Sequence, residues 1–367
     1  MKTLYFKPLV TLLYGVFFLL GAVPLWGAVE KVNRKIEKNY PIRPDAELVI
    51  KNQFGNINIS NWDKNEVGLE INISVEGKNT EALERRLDKI NLVFESSSDR
   101  VSVETQIEQA KRKWFEINFS LSPKEKVKFR VDYLVKVPKT VHLNIRNKFG
   151  NIELDTTEAP AKIRCSFGQI HLGELRGGNH YISLDFSKNS SIEYMDNGKI
   201  EADYSSLDLN RVEQLKWNAD FSKLEIQRAQ TIDYSADYGR IAVENVNRIN
   251  GSSDFTTLRI GKVQEQFRMS GDFGSLHIRS LEALSENSSI ETEFTKIRIG
   301  VSPKASFHFE IETEASGFES EIDLNYQKKI QESRKKYFSG TYGDQPQAQL
   351  TIETEYGSIK FVPSSNF

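Results

Sequence analysis

Hydrophobic and polar residues alternate along this chain in short runs that recur about every 18 residues. In one run Leu215, Trp217 and Ala219 alternate with polar residues and lead to Phe221, and the shorter pair Leu224 and Ile226 follows. Strict alternation is typical of a strand with one buried face, so each unit is predicted to be strand, tight turn, strand. An aromatic followed by a small residue marks each turn: Phe149, Phe167, Phe186, Tyr204, Phe221, Tyr238, Phe255, Phe273 and Phe294.

A unit of this length cannot bury a core alone, so neighbouring units must stack. The pattern predicts an all-β fold, a right-handed parallel β-helix (solenoid) with coils of about 17–19 residues. Counting in steps of two, we expect the aromatics to point inward, together with a small slot formed by Ala202, Ala219 and Ala236. Cys165 falls in the same slot, where a small buried hydrophobe is favoured over a catalytic thiol.

The first 28 residues have the layout of a secretory signal peptide. Lys2 and Lys7 precede an apolar run, and Gly27 and Ala28 follow it. An uncleaved membrane anchor is the alternative, because the whole apolar stretch approaches the length of a bilayer span. We predict export to the periplasm, the outer surface or the medium, and, with the leader cleaved, no stable membrane span in the mature chain.

The segment after the leader combines a copy of the motif with an insertion. Residues 51–59 match residues 146–154 almost position for position, which predicts an early coil of the same helix. Asn79 ahead of the spaced Leu83 and Leu87 predicts a short capping helix over the open edge of that coil. The predicted organisation is a signal peptide (1–28), an N-terminal coil with capping helix and β-hairpin insertion (29–140), regular repeats (141–300), and C-terminal strands with a closing coil (301–367). Residues 29–367 form a single domain in this prediction.

Two segments do not follow the pattern of the regular repeats. Residues 111–137 are basic and aromatic, which suits either an anionic glycan or lipid surface, or a solvated hairpin. The hairpin is favoured, because Val127, Phe129, Val131 and Tyr133 alternate toward a core. Near the C-terminus the pattern predicts strands at 307–311 and 322–324, a loop or short helix at 327–336, and a final coil at 349–361 that closes the stack.

Composition and motifs exclude several functional classes. The net charge of −2 gives no reason to expect a nucleic-acid partner. The five histidines have no metal-ligand spacing, and His180 falls in register with buried positions such as Leu215. No nucleophile elbow, phosphate loop or dinucleotide fingerprint occurs, so we predict no catalytic residue and no cofactor. Carboxylates paired across coils in the manner of a glycosidase keep an enzyme as the alternative.

One column of acids stands out. The residue before the aromatic is acidic in six successive units: Asp185, Asp203, Asp220, Asp237, Asp254 and Asp272. Stacked at the strand spacing, these carboxylates would repel one another. The favoured explanation is hydrogen bonding to amides of the following turn, helped by nearby cations such as Lys223 and Arg240. The alternative is a row of weakly held divalent cations such as calcium.

Several motifs together resemble a known group of proteins. These are the leader, the doubled Asn-x-Phe-Gly-Asn-Ile motif, Asn61-Trp62-Asp63 and the closing Tyr356-Gly357-Ser358-Ile359. They resemble the adhesin-type β-helix families of exported bacterial proteins, which include domains of unknown function and autotransporter adhesin-head-like proteins. The resemblance implies fold and export, since its motifs are structural. We therefore predict an exported, non-enzymatic, adhesin-like scaffold whose partner is a cell-surface glycan or an envelope protein. The alternative is a polysaccharide-active β-helix lyase or hydrolase.

Overall fold

A computed structural model describes residues 29–108 and 127–367, and these residues form an all-β protein with one α-helix. The helix α1 is Thr80–Leu87, and a 3-10 turn covers Ser364–Asn366. No helix in the described ranges is long and apolar enough to cross a membrane. The strands, in chain order, are β1 Glu30–Pro41, β2 Glu47–Phe54, β3 Ile57–Asn61, β4 Glu66–Gly77, β5 Ile90–Ser96, β6 Arg100–Ile107, β7 Lys128–Val137, β8 His142–Phe149, β9 Ile152–Thr157, β10 Ala161–Ser166, β11 Ile170–Leu175, β12 His180–Asp185, β13 Ser190–Asp203, β14 Ser206–Asp220, β15 Lys223–Asp237, β16 Arg240–Ser252, β17 Thr257–Asp272, β18 Ser275–Leu281, β19 Ser288–Glu293, β20 Lys296–Val301, β21 Phe307–Glu314, β22 Gly317–Ser320, β23 Asn325–Gln331, β24 Lys335–Tyr342, β25 Gln349–Glu355 and β26 Ser358–Pro363.

All of these strands belong to one long and mostly parallel sheet, which confirms the all-β prediction. Equivalent residues of successive units pair with one another. Trp217 pairs with Tyr234 ahead of the turn, and Leu224 pairs with Ile241 after it. Each unit therefore lies in register on the next over both of its strands.

The alternating apolar residues form a continuous core along the stack. Leu215, Trp217 and Ala219 are buried, and Ala219 pairs in register with Ala202 on one side and Ala236 on the other. The predicted small column is thus confirmed for these three alanines. His180 is buried as well, as its register predicted.

Cys165 belongs to this inner column. Its neighbour in register is Leu184, which in turn pairs with Ala202. The thiol is buried, and this burial raises its pKa to about 11. A thiol in that environment stays protonated at neutral pH, so the small-hydrophobe interpretation is confirmed and the side chain is a poor nucleophile.

The prediction that the aromatics point inward is wrong. Eight of them, from Phe167 to Phe294, and Tyr356 have positive φ angles near +50°, and each is about half exposed. Because the backbone is left-handed at the ring residue, the side-chain alternation of an extended strand is interrupted there. The residue after the ring therefore points inward in place of the ring. The alternation of buried and exposed side chains holds as far as the residue before the ring and is shifted by one position after it. In the first two units the positive φ falls on Gly55 and Gly150, directly after the ring.

The N-terminal region carries the predicted extra unit and its cover. Phe54 pairs in register with Phe149 and Ile57 pairs with Ile152, which confirms the match between residues 51–59 and 146–154. The side chain of Asn79 caps α1 by accepting from the amide of Ala82 at 3.1 Å. The predicted short helix is therefore present, but it lies against β1 and β4, and the open edge of the first coil is covered instead by β6 on β2 and by β7 on β3.

Part of the basic and aromatic segment is also visible. In β7, Val131 and Tyr133 are buried, while Val127 and Phe129 are partly buried against the core. The predicted alternation is therefore confirmed for residues 127–133. The predicted signal peptide (1–28) and the stretch 109–126, which holds most of the basic residues, lie outside the described residues.

The C-terminal region differs from the prediction in three ways. Residues 322–324 are not a strand, and residues 327–336 lie largely in the antiparallel hairpin β23–β24 instead of a loop or helix. The closing unit β25–β26 does not end the stack, because β25 pairs with β19 on one side and β21 on the other. The last unit is β21–β22, and β24 covers its open edge in antiparallel pairing. Covering an edge in this way blocks edge-to-edge association.

Candidate functional site: ridge, acid column and tryptophan groove

The turn aromatics form a ridge of eleven stacked rings on the surface. Neighbouring ring centroids are 4.8–5.2 Å apart, and from Phe167 onward the planes lie within 7° of parallel. The edge of Phe129 packs at one end of the ridge, and Arg334 donates to the hydroxyl of Tyr356 at the other. Ring faces are therefore covered by other rings, and only their edges meet solvent. The ridge stabilises the stack and offers no free ring face to a ligand.

A buried column of hydroxyl groups lies directly behind the rings. The Ser222 hydroxyl donates to the carbonyl of Ala202 at 2.9 Å and accepts from the amide of Ser205 at 3.0 Å. Both partners belong to the preceding unit, where the left-handed turn interrupts the ladder of backbone hydrogen bonds. The hydroxyl thus satisfies backbone groups that the turn leaves open. The hydroxyl residues of this column are Ser187, Ser205, Ser222, Thr256, Thr295 and Ser316, and all are buried.

The six predicted acids lie together along one side of the ridge. Asp203, Asp220, Asp237 and Asp254 are exposed, while Asp185 and Asp272 are half-buried.

Three of the carboxylates, those of Asp237, Asp254 and Asp272, accept hydrogen bonds from backbone amides, but from a different donor than predicted. The amide of Asp254 donates to Asp237 at 3.0 Å, and the amide of Asp272 donates to Asp254 at 2.9 Å. The donor is therefore the acidic residue of the next unit instead of the following turn. Burial and the charge of Asp220 together raise the pKa of Asp203, as expected for stacked carboxylates.

The nearby cations do not neutralise this column. Within residues 29–108 and 127–367, no ion pair involves any of the six aspartates, so the expected help from Lys223 and Arg240 is absent there. In the same ranges no group of three or more histidine, cysteine, aspartate or glutamate side chains converges to hold a metal ion. A row of divalent cations along the column stays a prediction, which a calcium titration tests.

A second candidate site is a surface groove beside Trp62, near the N-terminal end of the stack. Its volume is about 580 Å³, and it runs between β1, β3, β4, β7 and β9. Polar side chains from all five strands line it, including Lys136 of β7. The side chains that matter below are Glu37, Asn58, Trp62, Glu70, Glu153 and Asp155.

Trp62 is held in place from two sides. Its indole nitrogen donates to the carbonyl of Glu66 at 2.8 Å, and its ring packs on Gly68. A Cβ on Gly68 would lie 2.7 Å from the ring, so glycine is required for this approach. The ammonium of Lys64 lies 5.1 Å from the ring centroid. The indole is thereby fixed as one half-buried wall of the groove.

The polar groups of the groove include several with spare hydrogen-bonding capacity. The Oδ1 atom of Asn58 is buried without a hydrogen-bond partner, which is uncommon for a buried amide. Glu153 pairs in register with Asn58, and within the described residues it forms no ion pair. Glu70 is already engaged, since Asn72 and then Lys35 hold its pKa below the usual range. An aromatic wall with amide and carboxylate acceptors suits a ligand rich in hydroxyl groups.

The acid column was predicted from the sequence as a candidate site, whereas this groove was not. Trp62 was noted only as part of a family motif, and its partners come from strands that are distant along the chain. The usable signal was a tryptophan placed just beyond the strand Ile57–Asn61, where a solvated loop residue would be ordinary.

Comparison with known proteins gives only remote likenesses. No family model and no curated protein matches the chain. A "putative cell adhesion protein" of Clostridium sporogenes is 10% identical over 89% of this chain and 99% of its own, with a TM-score of 0.16. A "putative adhesin" of Parabacteroides merdae is 11% identical over 90% and 96%, with a TM-score of 0.33. A "putative lipid binding protein" of Parabacteroides distasonis is 11% identical over 91% and 97%, with a TM-score of 0.31. Identities and TM-scores this low carry no argument about ligand or activity.

Proposed function

We propose that this protein is an exported, non-enzymatic, adhesin-like scaffold that binds a surface glycan in the Trp62 groove. The observation that carries the proposal is that a fixed indole, the unpartnered Oδ1 atom of Asn58 and the carboxylates of Glu153 and Asp155 line the same groove. Sugars present hydroxyl donors for such acceptors and apolar ring faces for an indole. An envelope protein is the other class of partner.

The scaffold itself is proposed to be a right-handed parallel β-helix. The in-register pairing of both strands in consecutive units supports this, because each unit must return to the same place to stack on its predecessor. Right-handedness follows from the usual chirality of parallel crossovers. Such a stack holds a binding groove rigidly with no need for mobile loops.

Binding in the groove is tested by measuring affinity for a panel of neutral polysaccharides by calorimetry. We expect Glu153→Gln/Asp155→Asn to weaken binding without loss of stability, and Trp62→Ala to abolish it. Tyr238→Ala on the ridge is the matched control, because it removes an exposed aromatic from outside the groove. Equal losses for the ridge and groove variants would contradict the assignment of the site.

The competing function is a polysaccharide lyase or hydrolase. The same panel is assayed for new reducing ends and for unsaturated products. The scaffold proposal predicts binding without turnover. Turnover that disappears on substitution of one carboxylate, such as Glu153→Gln, would overturn it.

Export is tested separately by fractionating cells and treating intact cells with protease. We expect the protein in the envelope or the medium. Recovery in the cytoplasm alone would contradict the proposed localisation.

A further inference from the structure

In each unit, the strand that follows the aromatic turn is called the second strand, and the strand that precedes the turn is the first. Residues that pair from unit to unit on the second strands form a column whose charge changes abruptly along the stack. The first half is acidic or neutral, and the part from Arg259 to Lys360 is basic or carries an imidazole. Ala242 marks the change, and the column ends at the acid Glu319 of the last unit. In order from Glu153 onward, the column is Glu153, His171, Ser191, Asp208, Glu225, Ala242, Arg259, His277, Arg298, Lys360 and Glu319.

Two arginines of the basic part have no acidic partner in the described residues, whereas Lys360 is paired with Glu319 and Glu321. Arg259, His277 and Arg298 are directly adjacent in register, and Lys296 lies two residues before Arg298. Within the described ranges, Arg259, Lys296 and Arg298 form no ion pair. Arg259 and Arg298 flank His277 two strands apart, and together with Lys296 they place three positive charges close to one another, so this grouping suits a counter-charge from outside.

The positive charges of this cluster affect the pKa of His277. Its partial burial, and then the positive charges of Arg259, Lys296 and Arg298, hold its pKa below the usual range. The imidazole therefore stays neutral at pH 7 and offers a hydrogen-bonding group between two guanidinium groups. An anion placed beside it would reverse the effect of those charges.

A surface depression of about 400 Å³ gives this cluster a shape. Its floor is made by Ala242 and Gly261, and its walls include Arg259, His277 and Phe367. A Cβ on Gly261 would lie 2.3 Å from a backbone oxygen, so the floor is a glycine by necessity.

Two acids also line the depression. Glu244 is already paired with Arg279, and Glu225 stands on the acidic side of the column. Beyond the depression the column continues to Arg298, one of whose guanidinium nitrogens donates to the carbonyl of Asn366.

We propose that this basic column binds the carboxylate or sulfate groups of an acidic glycan laid across the strands. Successive side chains of the column are spaced by about 4.8 Å, and a sugar residue in an extended chain advances by a similar distance. Guanidinium groups recognise carboxylate and sulfate with paired hydrogen bonds, which favours Arg259 and Arg298 as the anchors. The inference rests on the proposed function as a glycan-binding scaffold, but it uses residues separate from the Trp62 groove.

The test measures binding of oligogalacturonate, dextran sulfate and uncharged dextran by calorimetry at low and high salt. We expect both acidic probes to bind, with affinity falling as salt rises, and uncharged dextran not to bind. Stronger binding of oligogalacturonate marks a carboxylate glycan as the ligand, and stronger binding of dextran sulfate marks a sulfated one. No binding of either probe at low salt would overturn the proposal.

Substitutions locate the site. Arg259→Gln/Arg298→Gln should weaken binding roughly tenfold to a hundredfold, as expected for lost charge-assisted hydrogen bonds. The matched control is Arg146→Gln/Arg164→Gln, which removes the same charge from two paired and unbridged arginines on the first strands. Equal weakening by both double variants would mean that net charge, and not the column, governs binding.

His277 supplies a readout that separates this site from the groove. Oligogalacturonate should raise the pKa of His277 in an NMR titration, whereas the neutral glycan bound by the Trp62 groove should leave it unchanged. Binding of the acidic probe without a response at His277 would overturn the proposal while leaving the proposed function intact.

A second copy of the chain is the competing occupant. Glutamates on the first strands, Glu291, Glu293, Glu353 and Glu355, could supply the missing counter-charge. Sedimentation that shows a salt-sensitive dimer, lost in Arg259→Gln/Arg298→Gln, together with no binding of acidic glycan, would replace the glycan with that copy.

Discussion

Two columns that lie one residue apart, at the turns where serine or threonine follows the ring, differ in almost every respect. The rings of the ridge are about half exposed and touch only one another through their faces. The hydroxyl column behind them is buried and closes backbone hydrogen bonds that the turn leaves open. A single backbone angle, the positive φ of the ring residue, decides which residue belongs to which column. The aromatic residue, which marks the repeat most clearly in the sequence, is therefore the less buried of the two.

The largest expected effect comes from the hydroxyl column. Ser222→Ala removes the hydroxyl that donates to the carbonyl of Ala202 and accepts from the amide of Ser205, and it adds no volume. Leaving these buried backbone groups unpaired should cost about 2–4 kcal/mol in the free energy of unfolding, measured by urea denaturation.

Ser206→Ala is the control for that variant. Its hydroxyl accepts from the amide of Asn189, which is exposed, so water replaces the bond. We expect a loss well under that of Ser222→Ala, and equal losses would contradict the role given to the buried column.

The next effect concerns the small inner column two residues before the ring. Ala219→Leu should overpack the layer between Ala202 and Ala236 and cost roughly 1–3 kcal/mol. Lys216→Leu places the same side chain on the exposed side of the strand and should be nearly neutral. An unchanged unfolding midpoint for Ala219→Leu would mean that the assigned register is wrong.

A smaller effect is expected for the ridge. Phe221→Ala removes two ring contacts, to Tyr204 and Tyr238, each worth roughly 0.5–1.5 kcal/mol. We expect a loss of about 1–2 kcal/mol, because solvent already reaches the ring edges. Phe221→Asn should lose less stability than Phe221→Ala, since asparagine tolerates the left-handed conformation. The reverse order in thermal denaturation would argue against backbone strain at this turn.

The smallest effect concerns the acid column. Asp254→Asn keeps an acceptor for the amide of Asp272 and removes one of the stacked charges, so stability should change by less than about 0.5 kcal/mol. Asp254→Ala loses the acceptor and should be less stable than Asp254→Asn. Calcium at roughly millimolar concentration should leave the melting temperature unchanged. A rise that is lost in Asp220→Asn/Asp237→Asn would instead establish the cation row.

Much of the fold could be predicted because the repeat specifies its own register. The column from Cys165 to Ala236 follows from counting back from each ring, and the units at Phe54 and Tyr356 were found by the same motif. The orientation of the rings could not be found by counting, since alternation assumes an extended backbone and a bulky residue at positive φ is rare. The small or hydroxyl residue that follows every ring was the available signal.

The ends were harder to predict for a different reason. The strand β23 is exposed along its whole length, and five of its seven residues are polar, so it shows no alternation of apolar and polar positions. The insertion of β25 between β19 and β21 leaves no trace in the local sequence, because all three strands have the same pattern. The Trp62 groove likewise depends on strands brought together only by the fold.

The most direct test of the central claim is the accessibility of cysteines placed in the two columns. In a Cys165→Ala background, Phe221→Cys and Ser222→Cys are treated with a thiol reagent under native conditions, and labelling is followed by mass spectrometry. The account predicts rapid labelling of Phe221→Cys, and labelling of Ser222→Cys only after denaturation, because the turn directs position 221 outward and position 222 inward. Protection at position 221 with rapid labelling at position 222 would contradict the account.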